Sequence, residues 1–89
     1  MIRQIKGILA EVEQDQIIVD LHGLGLGLFV SAATRRRLPP PGEPVSLYTH
    51  LYVREDEWQL YGFADREEER LFQTLLKING VGPRLALSI

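Results

Sequence analysis

The residues best suited to hold a phosphate lie near the end of the chain. Lys77, Gly80, Gly82 and Arg84 fall within the run Leu75-Leu76-Lys77-Ile78-Asn79-Gly80-Val81-Gly82-Pro83-Arg84-Leu85-Ala86-Leu87. The run reads as a helix, a tight Gly-hydrophobic-Gly turn and a second helix. Glycine permits positive φ and leaves neighbouring backbone N–H groups uncovered. Those groups and the positive end of the second helix make an anion site of phosphate size. Lys77 and Arg84 flank it as cations, and Val81 can pack back between the two helices. Such contacts go to the backbone of a nucleic acid and are independent of its sequence. The plain alternative is a helix cap followed by a fresh helix start.

A second constellation is acidic. Glu55-Asp56-Glu57 interrupts two strand-like runs and forms a predicted hairpin tip. Polar tips are ordinary, so a solvated loop explains them. Three adjacent carboxylates also repel one another, and in a nucleic-acid binder they would repel phosphates, steering or splitting strands.

Enzyme chemistry finds little support. Ser31, Ser46 and Ser88 lack the context of an activated nucleophile, and cysteine is absent. His22 and His50 stand apart without local ligand partners, so no metal site is expected. No P-loop is present, and no catalytic residue or cofactor is assigned. Gly23, Gly25 and Gly27 alternate with leucines, which places them on one bare strand face rather than in a nucleotide loop. The run Arg35-Arg36-Arg37 reads as a solvated face or a phosphate contact.

The composition bounds these readings. At 89 residues the chain makes one small domain with a short appendage. Lys+Arg is 10 against Asp+Glu of 12, a net charge of -2, whereas phosphate binders usually carry a basic excess. No apolar run approaches the ~20 residues that cross a bilayer. No signal-peptide pattern opens the chain, so a cytoplasmic protein with no membrane partner is expected.

The elements that must position these residues fall into two zones. Residues 1–64 read as short strands. Ile2 to Val12 is extended with a bend or bulge at Gly7. Gln16 to Leu21 alternates, and a third run ends at Phe29-Val30. Ser31 can cap a short helix to Leu38, and Pro39-Pro40-Pro41-Gly42 forces a loop. Val45, Leu47, Thr49, Leu51 and Val53 share one face of the strand Val45 to Arg54, which pairs across the acidic tip with Trp58 to Phe63. Five short strands suggest a small closed barrel. Residues 65–89 read as helical. Asp65 is the predicted N-cap, with Glu68 at the capping-box position. Leu71, Phe72, Leu75 and Leu76 form an apolar stripe, and Pro83 opens a second helix running to Ile89. That helix has no polar stop, so an N-terminal fragment of a longer protein is expected.

Taken together, Met1-Ile2, Gly7, Gly23, Gly25, Leu38-Pro39, Gly42, Thr49-His50, Val53-Arg54-Glu55-Asp56, Leu60-Tyr61-Gly62-Phe63, Glu69, Leu71-Phe72 and Gly80 through Leu87 resemble the RuvA family. These are the Holliday-junction-binding subunits of the bacterial branch-migration complex. The resemblance covers the whole chain. It implies a mainly β fold with C-terminal α structure: a five-stranded OB-fold barrel over 1–64, then the first helix-hairpin-helix of a truncated second domain over 65–89. It implies a non-catalytic subunit that binds four-way junction DNA in recombination and repair. It assigns Glu55 and Asp56 to an acidic pin, and Gly80, Gly82 and Arg84 to duplex phosphates. The implied partners are copies of itself in a homotetramer or octamer, the RuvB motor and the RuvC resolvase. RuvB docks on a C-terminal domain beyond this chain. Arg3, Leu26 and Gly27 depart from the family's usual residues. A generic single-strand-binding OB module could instead use Tyr48, Tyr52, Trp58, Tyr61 and Phe63 for stacking. A protein-assembly domain is a third reading. Neither explains the Gly80–Arg84 turn.

Overall fold

A computed structural model describes residues 2–88. Five strands close into a barrel in the order β1-β2-β3-β5-β4: β1 (Gln4–Val12), β2 (Ile17–Leu21), β3 (Leu24–Val30), β4 (Pro44–Val53) and β5 (Trp58–Phe63). A short helix, α1 (Ala32–Arg36), lies between β3 and β4, and α2 (Arg66–Leu76) and α3 (Pro83–Ser88) follow β5. The pairings are antiparallel except β3 with β5, where Phe29 faces Tyr61 and Val30 faces Gly62 in parallel. This is the expected five-stranded closed barrel.

Alternation along each strand supplies the barrel core. Ile5 and Leu9, Ile17 and Val19, Leu28 and Val30, Val45 and Leu47, and Leu60 are buried together. Thr49 shares the inward face of β4, as expected, and its hydroxyl donates to the Ile2 carbonyl at 3.0 Å. The outward residues of β5 build a second apolar layer. Tyr61 and Phe63 pack with Phe72 of α2 and Ala86 of α3, with Phe29 and Tyr52 at the margin. Ring centroids lie 5.1 Å apart for Tyr61–Phe72 and 5.0 Å for Phe63–Phe72, within the usual range for aromatic pairs. Strand β5 therefore serves both cores, and the helices rest on the barrel's outer wall.

Several local expectations need correction. The bulge in β1 is at Ala10, not Gly7: Leu9 pairs with Val19 and Glu11 with Ile18, leaving Ala10 extra. Gly7 answers a different need. A Cβ there would stand 2.5 Å from the Asp20 carbonyl oxygen, so glycine lets β1 and β2 close together. Gly23 is not on the strand face with Gly25 and Gly27. It forms the β2–β3 turn with His22, both at positive φ (97° and 55°), and its N–H donates to the Asp20 carboxylate at 2.6 Å. Two successive positive φ values match the twist of a two-residue hairpin. Leu71 leaves the apolar stripe and is exposed, whereas Glu69, which the stripe omits, is buried beside Phe72. Helix α1 ends at Arg36, before the predicted Leu38. The placements of Met1 and Ile89 lie outside the described residues.

Candidate nucleic-acid interface

The acidic tip is held by the β4–β5 ladder, which runs to the pair Val53–Trp58. The Arg54 N–H then donates to the Glu57 carbonyl at 2.9 Å and closes the turn. Glu55, Asp56 and Glu57 are all exposed, as a set of like charges in solvent should be. Glu57 alone is tethered. Its carboxylate accepts from the Gln59 amide at 3.1 Å, and the Gln59 oxygen accepts from the Tyr61 hydroxyl at 2.7 Å. Glu55 and Asp56 make no side-chain hydrogen bond among the described residues, so their charges stay at the apex.

The turn between α2 and α3 has a different build. Lys77 caps α2, and its N–H reaches the Thr74 carbonyl at 3.1 Å. The Ile78 N–H donates to Leu75 and the Val81 N–H to Ile78, both at 3.1 Å. Gly80 takes φ 82°, a conformation that side chains resist. Val81 turns back, half-buried, against the aromatic layer, as its place between glycines predicts. The Gly82 carbonyl accepts from the Ala86 N–H at 2.9 Å and begins α3. Gly82 is not required by its own surroundings: its φ is not positive, and an added Cβ would meet nothing within 4 Å. Its effect is to leave backbone bare toward solvent.

Arg84 leaves this turn toward the barrel. Its guanidinium lies over the Phe29 ring, 4.7 Å from the centroid, and remains exposed. Phe29 in turn packs on Tyr61 at 5.4 Å. Burial pushes the Tyr61 hydroxyl above its ordinary pKa; Arg84 opposes that shift, Glu57 and Tyr52 add to it, and Arg54 opposes it. Arg84 and the base of the acidic tip thus act on the same phenol, although 27 positions separate Glu57 from Arg84 in the sequence. Lys77 is exposed and is not brought into this group. Sequence reasoning missed Phe29, Gln59 and Tyr61 as the connection. Their link depends on the parallel β3–β5 pairing, which alternation does not reveal.

A polar clasp fixes α2 to the barrel. Ser31 caps α1 as expected, accepting from the Thr34 N–H at 3.1 Å. Asp65 caps α2 as expected, accepting from the Glu68 N–H at 2.8 Å. The Glu68 side chain does not complete a capping box. It accepts the hydroxyl protons of Ser31 and Thr34 instead. The Thr34 hydroxyl also accepts from the Ala64 N–H at 3.1 Å. The N–H of Glu68 and then the Arg37 guanidinium, 2.6 Å away, hold the Asp65 carboxyl below the usual range. The arginine run is therefore partly used internally: Arg35 donates to the Glu13 carbonyl at 2.7 Å and Arg37 pairs with Asp65.

His50 packs edge-on against Phe72 at 5.5 Å, and His22 sits in the β2–β3 turn. Among the described residues no three His, Cys, Asp or Glu side chains gather as metal ligands, and no helix is long and apolar enough to cross a membrane.

Residues 1–62 match the family model described as the RuvA N-terminal domain. That match covers the barrel almost to the end of β5. The chain belongs to the RuvA family. The fold fits: the family's N-terminal domain is an OB-fold barrel. Among its relatives is a protein of Caldanaerobacter subterraneus subsp. tengcongensis, 49% identical over all 89 residues, which cover 48% of that protein. Another, from Pseudomonas entomophila, is 49% identical over the same length, 43% of that protein. A third, from Chlorobaculum tepidum, is 49% identical over 85 residues, 42% of that protein. Each is named Holliday junction branch migration complex subunit RuvA. The chain spans less than half the length of these RuvA relatives.

Proposed function

We propose that this chain is the junction-engaging part of a RuvA-type subunit. It binds four-way junction DNA and takes no catalytic part. A separate RuvB-type ATPase supplies the work of branch migration in recombination and repair. Residues 1–64 form the barrel, and residues 65–89 form the first helix-hairpin-helix. Gly80 and Gly82 present backbone to duplex phosphates, with Arg84 and Lys77 as flanking cations. Glu55 and Asp56 form the pin that repels phosphates where strands part. The subunit works in the cytoplasm as a homotetramer or octamer, with RuvC as a further partner.

One observation carries the reading: the bare backbone at Gly82. The fold has no use for a missing side chain there, whereas a close-approaching phosphate does. The net charge of -2 is no obstacle, because seven of the twelve acids are gathered at the tip and around the start of α2, away from the Gly80–Arg84 turn. A generic single-strand binder is disfavoured, because most of its candidate stacking aromatics are consumed by packing.

The test is binding to a four-way junction, a linear duplex and a single strand at one fixed salt concentration, since such affinities fall steeply with salt. The junction is expected to bind tightest. Equal affinity for all three would refute the proposal. Replacing Glu55→Gln with Asp56→Asn should leave junction binding intact or tighter.

A further inference from the structure

Of the aromatic side chains available for stacking, the fold consumes all but one. Tyr61 and Phe63 are buried. Tyr52 borders the aromatic layer, and the half-buried Tyr48 carries the Arg66 guanidinium on its ring at 5.0 Å. Trp58 is 72% exposed, more than any other large hydrophobic residue among those described. It opens β5 directly after the acidic turn, opposite Val53, which is itself 52% exposed. Alternation puts the pair on the face that carries Leu51 and Leu60 farther down the ribbon. At this end nothing covers them. An indole and an isopropyl group lie together in water, immediately beneath three carboxylates.

Those surroundings select the occupant. Glu55, Asp56 and Glu57 turn away a phosphate backbone, but a nucleobase is uncharged and offers a flat π-face. Stacking of that kind is tolerant of base identity. We propose that Trp58 is a stacking platform for one unpaired nucleobase beside the acidic tip. The inference rests on the junction-binding reading: the tip keeps phosphates off the centre, and the indole receives the base that loses its partner there.

Trp58 is the chain's only tryptophan, so its emission reports this site alone. The chain would be titrated with a four-way junction at low fixed salt while the anisotropy of a labelled junction measures binding independently. A matching junction would carry 2-aminopurine at the crossover, and another would carry it within an arm. The expected result is quenching of Trp58 emission in step with anisotropy, with the crossover probe responding and the arm probe silent. Trp58→Ala should weaken junction binding by about 5- to 150-fold, and Trp58→Phe should retain most of it. Linear-duplex binding should not change. Unchanged emission during demonstrated junction binding would overturn the platform and leave the junction reading standing. An emission shift that follows protein concentration without DNA would give the surface to a second copy of the chain and also overturn it. No junction binding at all would overturn both.

Discussion

Glu68→Ala should loosen the barrel from its helices, and the size of the effect can be worked from the clasp. Thr34 is fully buried and Ser31 nearly so. Each hydroxyl already accepts a backbone N–H, so its own proton depends on Glu68. Removing the carboxylate strands two donors, at about 1–3 kcal/mol for each buried group left unpaired. Water can reach the Ser31 side more easily, so the total should be about 2–4 kcal/mol. For a chain of this size, that corresponds to a fall in Tm of about 10–25 °C. Urea unfolding followed by circular dichroism would measure it, with an unchanged slope showing that the unfolded state is the same. Glu68→Gln keeps one acceptor oxygen and should lose about half as much. Glu67→Ala removes a first-turn carboxylate that faces solvent and controls for the helix dipole, at about 0.3–1 kcal/mol. If Glu68→Ala costs no more than Glu67→Ala, the clasp does not hold the helices and the reasoning fails.

Gly7→Ala should destabilise by about 1–3 kcal/mol, because its Cβ would press on backbone at 2.5 Å. Gly25→Ala meets only the Ile18 side chain at 3.5 Å and should be neutral or slightly stabilising in the same thermal melt; equal losses at the two sites would contradict the close-approach argument. His50 is held below its ordinary value of 6.5 by burial, against the opposing pull of Glu69. Its unfolded form therefore protonates first as pH falls. The stability that neutral His50 contributes is present above about pH 6.5 and is lost as pH drops through the folded value. Urea midpoints at pH 7.5 and 5.5 should show a smaller acid loss for His50→Gln than for the parent chain, and identical losses would exclude this role. Lys77→Gln and Arg84→Gln should each lower the salt dependence of junction binding by about one counterion. An unchanged slope would remove that residue from the phosphate contacts.

The parts of the fold legible in the sequence are those governed by neighbours along the chain. The inward face Val45-Leu47-Thr49 follows from a period of two, and Ser31 and Asp65 cap their helices because short polar side chains reach N–H groups three residues on. Gly80 was legible for a similar local reason. What stayed hidden depends on chain segments meeting at a distance. Gly7 looks like a bulge until β2 is placed against it. Glu68 looks like a capping-box residue until two hydroxyls from positions 31 and 34 arrive. Leu71 fits the apolar stripe but faces away from the layer that Phe72 enters. At the candidate site, the residue types at the tip and turn were readable one by one, but their shared approach to Tyr61 was not.

That shared approach explains why one strand matters more than its six residues suggest. Strand β5 starts at the acidic turn and ends where α2 is capped. Leu60 and Gly62 face the barrel interior, and an added Cβ at Gly62 would crowd Leu28 at 3.1 Å and Leu47 at 3.2 Å. Tyr61 and Phe63 face the helices. The strand cannot slide by one residue without exchanging these two sets, which would bring a tyrosine and a phenylalanine into a space with no room for a methyl group. Its register is therefore fixed from both sides. With the register fixed, the Tyr61–Gln59–Glu57 hydrogen bonds place the tip, and the Tyr61–Phe29–Arg84 stack places the cation. Opposite charges that nearly cancel in the composition are kept apart at defined positions by the same strand. In the proposed function this is the requirement for a protein that attracts duplex arms and repels phosphates at their meeting point.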